Sequence, residues 1–220
     1  MAASCHPKTA TIPGMQISKP FSQACENNKA PILAVLQEVL QEASHPNAQV
    51  LEIGSGTGQH AAYFAPRLPW LNWQPTDQAH YLPGCRLWIE EARAAGANNL
   101  QLPKVLDVLQ PKWPELEMEA AYSANTAHIM HWPAVEAMFH GLGQRLPAQG
   151  YFCLYGPFCY SGQHTSESNE SFDRHLRQQD PGMGIRDLDI LEPLAKAAGF
   201  KLTADHPLPA NNRLLIWQKK

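Results

Sequence analysis

Two rhythms of apolar residues alternate along most of this 220-residue chain. Ile32, Leu36, Val39, Leu40 and Ala43 recur at helical spacing and predict a helix over 30–43, with Pro31 suited to its first turn. His45-Pro46-Asn47 closes it. Short apolar runs then predict strands at 50–53, 71–77, 102–108, 120–130 and 151–155. Helical stretches fall between them: after residue 58 to about Pro66, over 88–95, and over 133–145, where Val135, Met138, Phe139 and Leu142 share one face. Strand and helix in this order predict an α/β fold, with a mainly parallel sheet carrying helices on both faces.

The last third changes style. Residues 161–184 are polar and long for a connection, which marks a lid or substrate segment. A helix over 188–198 ends at Gly199, and Pro193 marks where it would break. Residues 201–204 and 214–218 can close the sheet as an antiparallel hairpin around a long turn at 206–213, giving seven strands. Residues 1–18 hold two prolines and a glycine with little periodicity, and read as a flexible lead-in to a single domain over 19–220.

Composition narrows the function. The net charge is −3, without a cluster of Lys or Arg, so a broad nucleic-acid or membrane footprint is not expected. No apolar run reaches the roughly 18 residues of a membrane span. The N-terminus lacks the apolar core of a secretion signal. Five widely spaced cysteines form no C-x-x-C pair, as expected of reduced thiols in a cytoplasmic protein. No metal site is expected. His128 and His131 have helical spacing, but no further ligand stands near them.

The chemistry concentrates at VLEIGSGTGQH, Val50 to His60. A strand runs into Gly54, Gly56 and Gly58, and a helix follows. Glycines let the backbone turn sharply and let a ligand approach the bare main chain. A dinucleotide fold wants G-x-G-x-x-G, but residue 59 is Gln. The pattern is E-x-G-x-G-x-G, led by Glu52, and it resembles the first motif of class I S-adenosylmethionine-dependent methyltransferases. The closing antiparallel pair also fits that class. Glu52 would orient the loop or face the cofactor's ammonium. Asp77, at the next strand end, can accept two ribose hydroxyls, and Asp107, one strand on, the adenine amino group. Each is otherwise a turn or cap residue. After the fourth strand, Asn125 can touch the cofactor. His128 can face the substrate as a general base.

ENNKAPIL (26–33), NTAHIMHW (125–132), YGPF (155–158), TSESNESFD (165–173), GIRD (184–187) and PANN (209–212) together resemble the methyltransferase-like protein 26 family from residue 19 onward. The resemblance implies a Rossmann-like class I methyltransferase fold that binds S-adenosylmethionine, without naming a substrate. The family usually has Arg at position 27 and Trp at 183, where this chain has Asn27 and Met183, which alters the acceptor side in charge and shape. Asn28, Lys29, Trp132, Asn169, Arg186, Asn211 and Asn212 are the substrate-side candidates. Arg186 can pair an acidic group of the substrate.

The expected activity is methyl transfer to a small polar molecule. A binding protein without turnover on the same fold is the alternative. A nicotinamide oxidoreductase is disfavoured by Gln59 and by the lack of a Y-x-x-x-K pair. A nucleic-acid methyltransferase is disfavoured by the charge and by the lack of N-P-P-Y or D-P-P-Y after strand four.

Overall fold

The structure is a computed structural model that describes residues 10–12, 15–42, 48–115 and 118–220. A short antiparallel hairpin comes first, β1 (Ala10–Ile12) against β2 (Met15–Ile17). It falls within the stretch read as a flexible lead-in, whose residues 1–9 and 13–14 lie outside the described residues.

Helix α1 spans Gln23–Glu42, so it begins well before the predicted start, and Pro31 lies inside it. Its polar first turns carry no apolar period. Ser22 caps them instead, its Oγ accepting the Cys25 N–H at 3.3 Å. Strand β3 (Ala48–Ile53), helix α2 (Gln59–Phe64), a 3₁₀ turn (Ala65–Arg67), β4 (Leu71–Asp77) and α3 (Leu82–Ala94) follow. The third strand is far shorter than its apolar run: β5 is Lys104–Val105, an exposed edge preceded by Pro103, which has no N–H to give a ladder.

Strand β6 (Ala120–Ala124) also stops early, because Asn125 takes a left-handed φ of 56°. Helix α4 (Trp132–Arg145) and strand β7 (Tyr151–Gly156) come next. The polar segment 161–184 is folded. It holds β9 (Gln163–His164), which pairs with β8 (Phe158–Tyr160) just before it in a small sheet, and helix α5 (Glu167–Gln179), capped by Ser166. The buried face of α5 is Asn169, Asp173 and Leu176, a helical period hidden from a hydrophobicity count because two of the three are polar. β10 (Arg186–Asp187) joins β8, and α6 (Leu188–Ala197) runs through the exposed Pro193 without a break. The final hairpin is longer than predicted. β11 (Phe200–Leu208) and β12 (Asn212–Lys219) enclose only three residues, with Ala210 and Asn211 at positive φ.

Seven strands form the main sheet in the order β11-β12-β7-β6-β3-β4-β5. Only β12 runs against its neighbours. The alternation of side chains along each strand splits the core in two. Val50, Trp73, Tyr122, Cys153 and Ile216 meet α1, α2 and α3 on one face. Leu51, Ile53, Phe152, Leu154 and Trp217 meet α4 and α6 on the other. From β3 the chain steps outward to β4 and β5, then crosses back to β6 and β7. That reversal opens a crevice at the carboxyl ends of β3 and β6, where such sheets hold ligands.

Candidate functional site

The glycine loop is clamped on three sides. Gly54 N–H and Ser55 N–H both donate to the Thr76 carbonyl at 3.0 Å, and Gly58 N–H donates to the Ser55 carbonyl at 2.8 Å. From the end of β4, the Asp77 carboxylate accepts Gly56 N–H at 2.7 Å through one oxygen and Gln78 N–H at 2.7 Å through the other. From the end of β6, Thr126 closes over Gly54. A Cβ at residue 54 would lie 2.5 Å from the Thr126 methyl, and φ there is +72°. Thr126 is itself fixed by Ser123 Oγ at 2.6 Å, and Ser123 donates to the Ile53 carbonyl at 2.8 Å. Gly56, at φ +54°, differs: a Cβ there would meet nothing within 4 Å. The loop is tight where it touches protein and open where it faces the crevice.

Two buried acids lie at this loop, in different roles. Glu52 is sealed beneath it, accepting the Trp73 indole N–H at 2.9 Å, and does not line the crevice. Burial pushes its carboxyl up to about 7. Of the two roles expected for Glu52, the geometry fits support of the loop rather than contact with a ligand. Asp77 does line the crevice. Burial raises its pKa, and the N–H groups of Gly56 and Gln78 pull it back down.

The crevice is a cavity of about 1000 Å³. Gly54, Gly56, Thr57, Asp77 and Asn125 line it at the loop, whereas Gly58 does not, because it packs against Cys85, whose carbonyl would lie 2.8 Å from a Cβ there. Tyr81, Leu109 and Ile129 stand beside them as apolar side chains 50%, 56% and 46% exposed. His128 faces the cavity opposite α1, edge-on to Phe172 of α5 with ring centroids 5.3 Å apart. Burial and the charge of Arg186 hold its imidazole down to about 4. Asn28, Asn169 and Asn212 also reach the wall, from α1, α5 and the start of β12.

Other candidates face elsewhere. Asp107 makes a tight turn, accepting Leu109 N–H at 3.0 Å, and only its neighbours Leu106, Val108 and Leu109 reach the cavity. Lys29 pairs with Glu26 and lies over the Tyr63 ring. Trp132 opens α4 and packs on the core. Asn211 is the hairpin tip. Its carbonyl accepts the Asn169 amide at 3.0 Å, which latches α5 to the sheet. Arg186, 7% exposed, donates to the carbonyls of Ala127, Met130 and Gly182. It braces the turn that carries His128 rather than offering a charge to a ligand. His131, considered beside His128 as a ligand, instead bonds Asp180 at 2.8 Å. Among the described residues no cluster of three potential metal ligands occurs.

Two wall residues were not singled out from sequence. His60 stands two residues after Gly58, and burial holds its ring down to about 4. Its Nε2 lies 2.7 Å from Asn28 Oδ1, an acceptor, so Nε2 carries the proton and the bare Nδ1 accepts from the Tyr122 hydroxyl at 3.3 Å. Tyr155, at the end of β7, lines the cavity beside Asn28 and Asn212, and burial raises the pKa of its hydroxyl. The signal for His60 was its place one residue into α2. For Tyr155 it was the YGPF run itself.

Seven-stranded order, a lone antiparallel strand beside the edge and a glycine loop at the switch point define a Rossmann-like class I methyltransferase fold. The chain belongs to the family described as "protein of unknown function (DUF938)", whose model matches residues 19–219. The fold is similar to that of the S-adenosylmethionine-dependent methyltransferase SibL, at 16% identity and a TM-score of 0.71, over 89% of this chain and 55% of that one. It is similar to an O-methyltransferase family 2 protein from Planctomyces limnophilus in complex with apigenin, at 14% identity and a TM-score of 0.74, over 90% and 58%. A methyltransferase of calicheamicin biosynthesis, solved with S-adenosylhomocysteine bound, matches at 18% identity and a TM-score of 0.63, over 87% and 55%. This chain spans a little over half the length of these structures.

Gly54→Ala should destabilise the protein, and adding Thr126→Ser, which removes the clashing methyl and keeps the hydroxyl, should recover about 1 kcal/mol in denaturant melts. Equal stability of the single and double variants would contradict the clamp. Acid should also act through the histidines. Their depressed pKa values contribute stability that is full above about pH 6.5 and lost as pH falls towards 4. Glu52 works in the opposite sense, its raised pKa favouring the fold most below about 4.5 and least above 7. His128→Gln should therefore flatten the loss of stability from pH 6.5 to 4.5 by up to about 1.4 kcal/mol per unit. An unchanged slope in unfolding curves would contradict it.

Proposed function

We propose that this protein transfers the methyl group of S-adenosylmethionine to a small-molecule acceptor. The observation that carries the reading is the open space at Gly56, whose N–H is held by the Asp77 carboxylate at the switch point. The residues present fit such a cofactor. Its amino-acid end can lie against the bare main chain of Gly54 and Gly56. Asp77 has used two acceptor sites of about four, leaving the others for ribose hydroxyls. Tyr81, Leu109 and Ile129 offer the apolar surface that a base needs. Asn125 stands beside the loop at the end of β6. The resemblance to the methyltransferase-like protein 26 family points the same way.

When bound, S-adenosylmethionine supplies an electrophilic methyl on a sulfonium. The chain's own part is mainly to align the acceptor, an effect worth on the order of 7–11 kcal/mol at best. His128 is neutral at pH 7, so its imidazole has a lone pair for an acceptor proton. Helix α5, latched to the hairpin tip, brings Asn169 and Phe172 over the cavity and shields it from water. A binding protein without turnover draws its support from the same histidine, since a pKa near 4 makes a weak base. Free thiols at Cys25, Cys85, Cys153 and Cys159 suit a cytoplasmic setting, and the cavity suits a small molecule rather than a nucleic acid.

Calorimetry tests the cofactor. S-adenosylmethionine and S-adenosylhomocysteine should bind, and NAD should not. Asp77→Ala should weaken that binding by about 1.5–3 kcal/mol. His128→Ala should leave cofactor affinity nearly unchanged and lower methyl transfer. No heat at saturating cofactor would end the reading. Full transfer by His128→Ala would remove the histidine from it.

A further inference from the structure

The cavity wall is almost without charge. Among the described residues no Lys or Arg lines it, its one carboxylate, Asp77, is committed to the glycine loop on the cofactor side, and His131, which also lines it, is paired with Asp180 at 2.8 Å. The charges nearest the acceptor side are used up behind the wall. Arg186 is spent on three carbonyls, and Asp173 on the Arg177 side chain and Ile185 N–H. What remains on the acceptor side is neutral and polar: four asparagines, Asn27, Asn28, Asn169 and Asn212, with apolar surface from Phe172 and Pro157. An ion brought here would give up its hydration with no unpaired opposite charge to replace it. Carboxylates, phosphates and protonated amines are all ions at neutral pH.

The wall also has direction. The chain of bonds from Tyr122 through His60 to Asn28 fixes which atoms carry protons. Asn28 accepts through Oδ1, so its amide N–H groups remain to donate to another partner. Tyr155 lines the cavity beside Asn28 and Asn212, and its hydroxyl donates to no partner among the described residues, which leaves its O–H to donate into the cavity. His128 is the complement. Its ring nitrogens have no hydrogen-bond partner among the described residues, and in its neutral form one of them accepts.

We propose that the acceptor is an uncharged hydroxyl compound of phenol type, its O–H turned to His128 and a second, hydrogen-bond-accepting group turned to Tyr155. The inference rests on the methyltransferase reading above and names the substrate class for that site. The acceptor oxygen forms the new C–O bond through its lone pair as the S–CH₃ bond breaks, the bonding pair remaining on sulfur. The hydroxyl proton passes to His128 and then to water. A phenol, with a pKa near 10, yields that proton far more readily than an aliphatic alcohol, and its flat ring suits the apolar surface of Phe172 and Pro157.

The test uses three probes of one shape. The full chain is saturated with S-adenosylhomocysteine and titrated with 4-hydroxybenzamide (neutral), 4-hydroxybenzoate (anion) and tyramine (cation). Binding is read from the His128 ring resonances by NMR. The neutral probe should bind at least about tenfold more tightly than either ion. A charged probe that binds as well, or a neutral probe that leaves His128 unmoved at millimolar concentration, would overturn the inference and leave the cofactor reading standing. Failure of S-adenosylhomocysteine itself to bind would bring down both.

Discussion

A single carboxylate spans two strands and sets the loop on which the site depends. Asp77 leaves the end of β4 and takes the N–H of Gly56, which follows β3, at 2.7 Å. A buried acid raises the cost of its own charge, and the two backbone N–H groups it accepts offset that cost. The same geometry demands glycine. With Thr126 against residue 54 and the Cys85 carbonyl 2.8 Å from where a Cβ of residue 58 would stand, any side chain at either place would push the loop off the sheet. Everything proposed for the cavity follows from the loop being held this way, because the open backbone at Gly56 and the spare acceptor sites of Asp77 then face one crevice.

Away from that carboxylate, the site is built from neutral groups that orient one another. Burial keeps His60 and His128 uncharged, and Glu52 is raised to about 7 beneath the loop. The charged side chains that pattern alone would send to a ligand serve instead as braces. Arg186 gathers three carbonyls from two separate turns, and Lys29 closes on its own helix. A cavity walled by amides and imidazoles selects by the direction of its hydrogen bonds, since an ion has nothing there to pair with.

Much of this was legible in the sequence, and the exceptions share a cause. Strand β4 ends where its apolar run ends, at Asp77, and the glycine spacing separates this loop from a dinucleotide one. Asn28, Asn125, His128 and Asn212 reach the cavity because their positions follow strand ends, the first helix or the hairpin tip, and Asn169 reaches it from α5. Asp107, Trp132, Arg186 and Asn211 have the right neighbourhoods but the wrong directions. A side chain's aim depends on carbonyls and rings that the chain brings from afar, as Ala127, Met130 and Gly182 are brought to Arg186. Helix α5 was hidden for another reason. Its inward face is polar, so its period carries no hydrophobic signal.

The central claim is that the glycine loop held by Asp77 is a preformed seat for S-adenosylmethionine, and amide NMR tests it most directly. On titration of the nitrogen-labelled protein with S-adenosylmethionine, the N–H resonances of Gly54, Gly56 and Gln78 should shift together and saturate at one equivalent. Those of the outer strand β11 at Lys201 and Leu202 should stay in place. Saturating cofactor that leaves the glycine-loop amides unmoved, or moves the outer strand instead, would contradict the account.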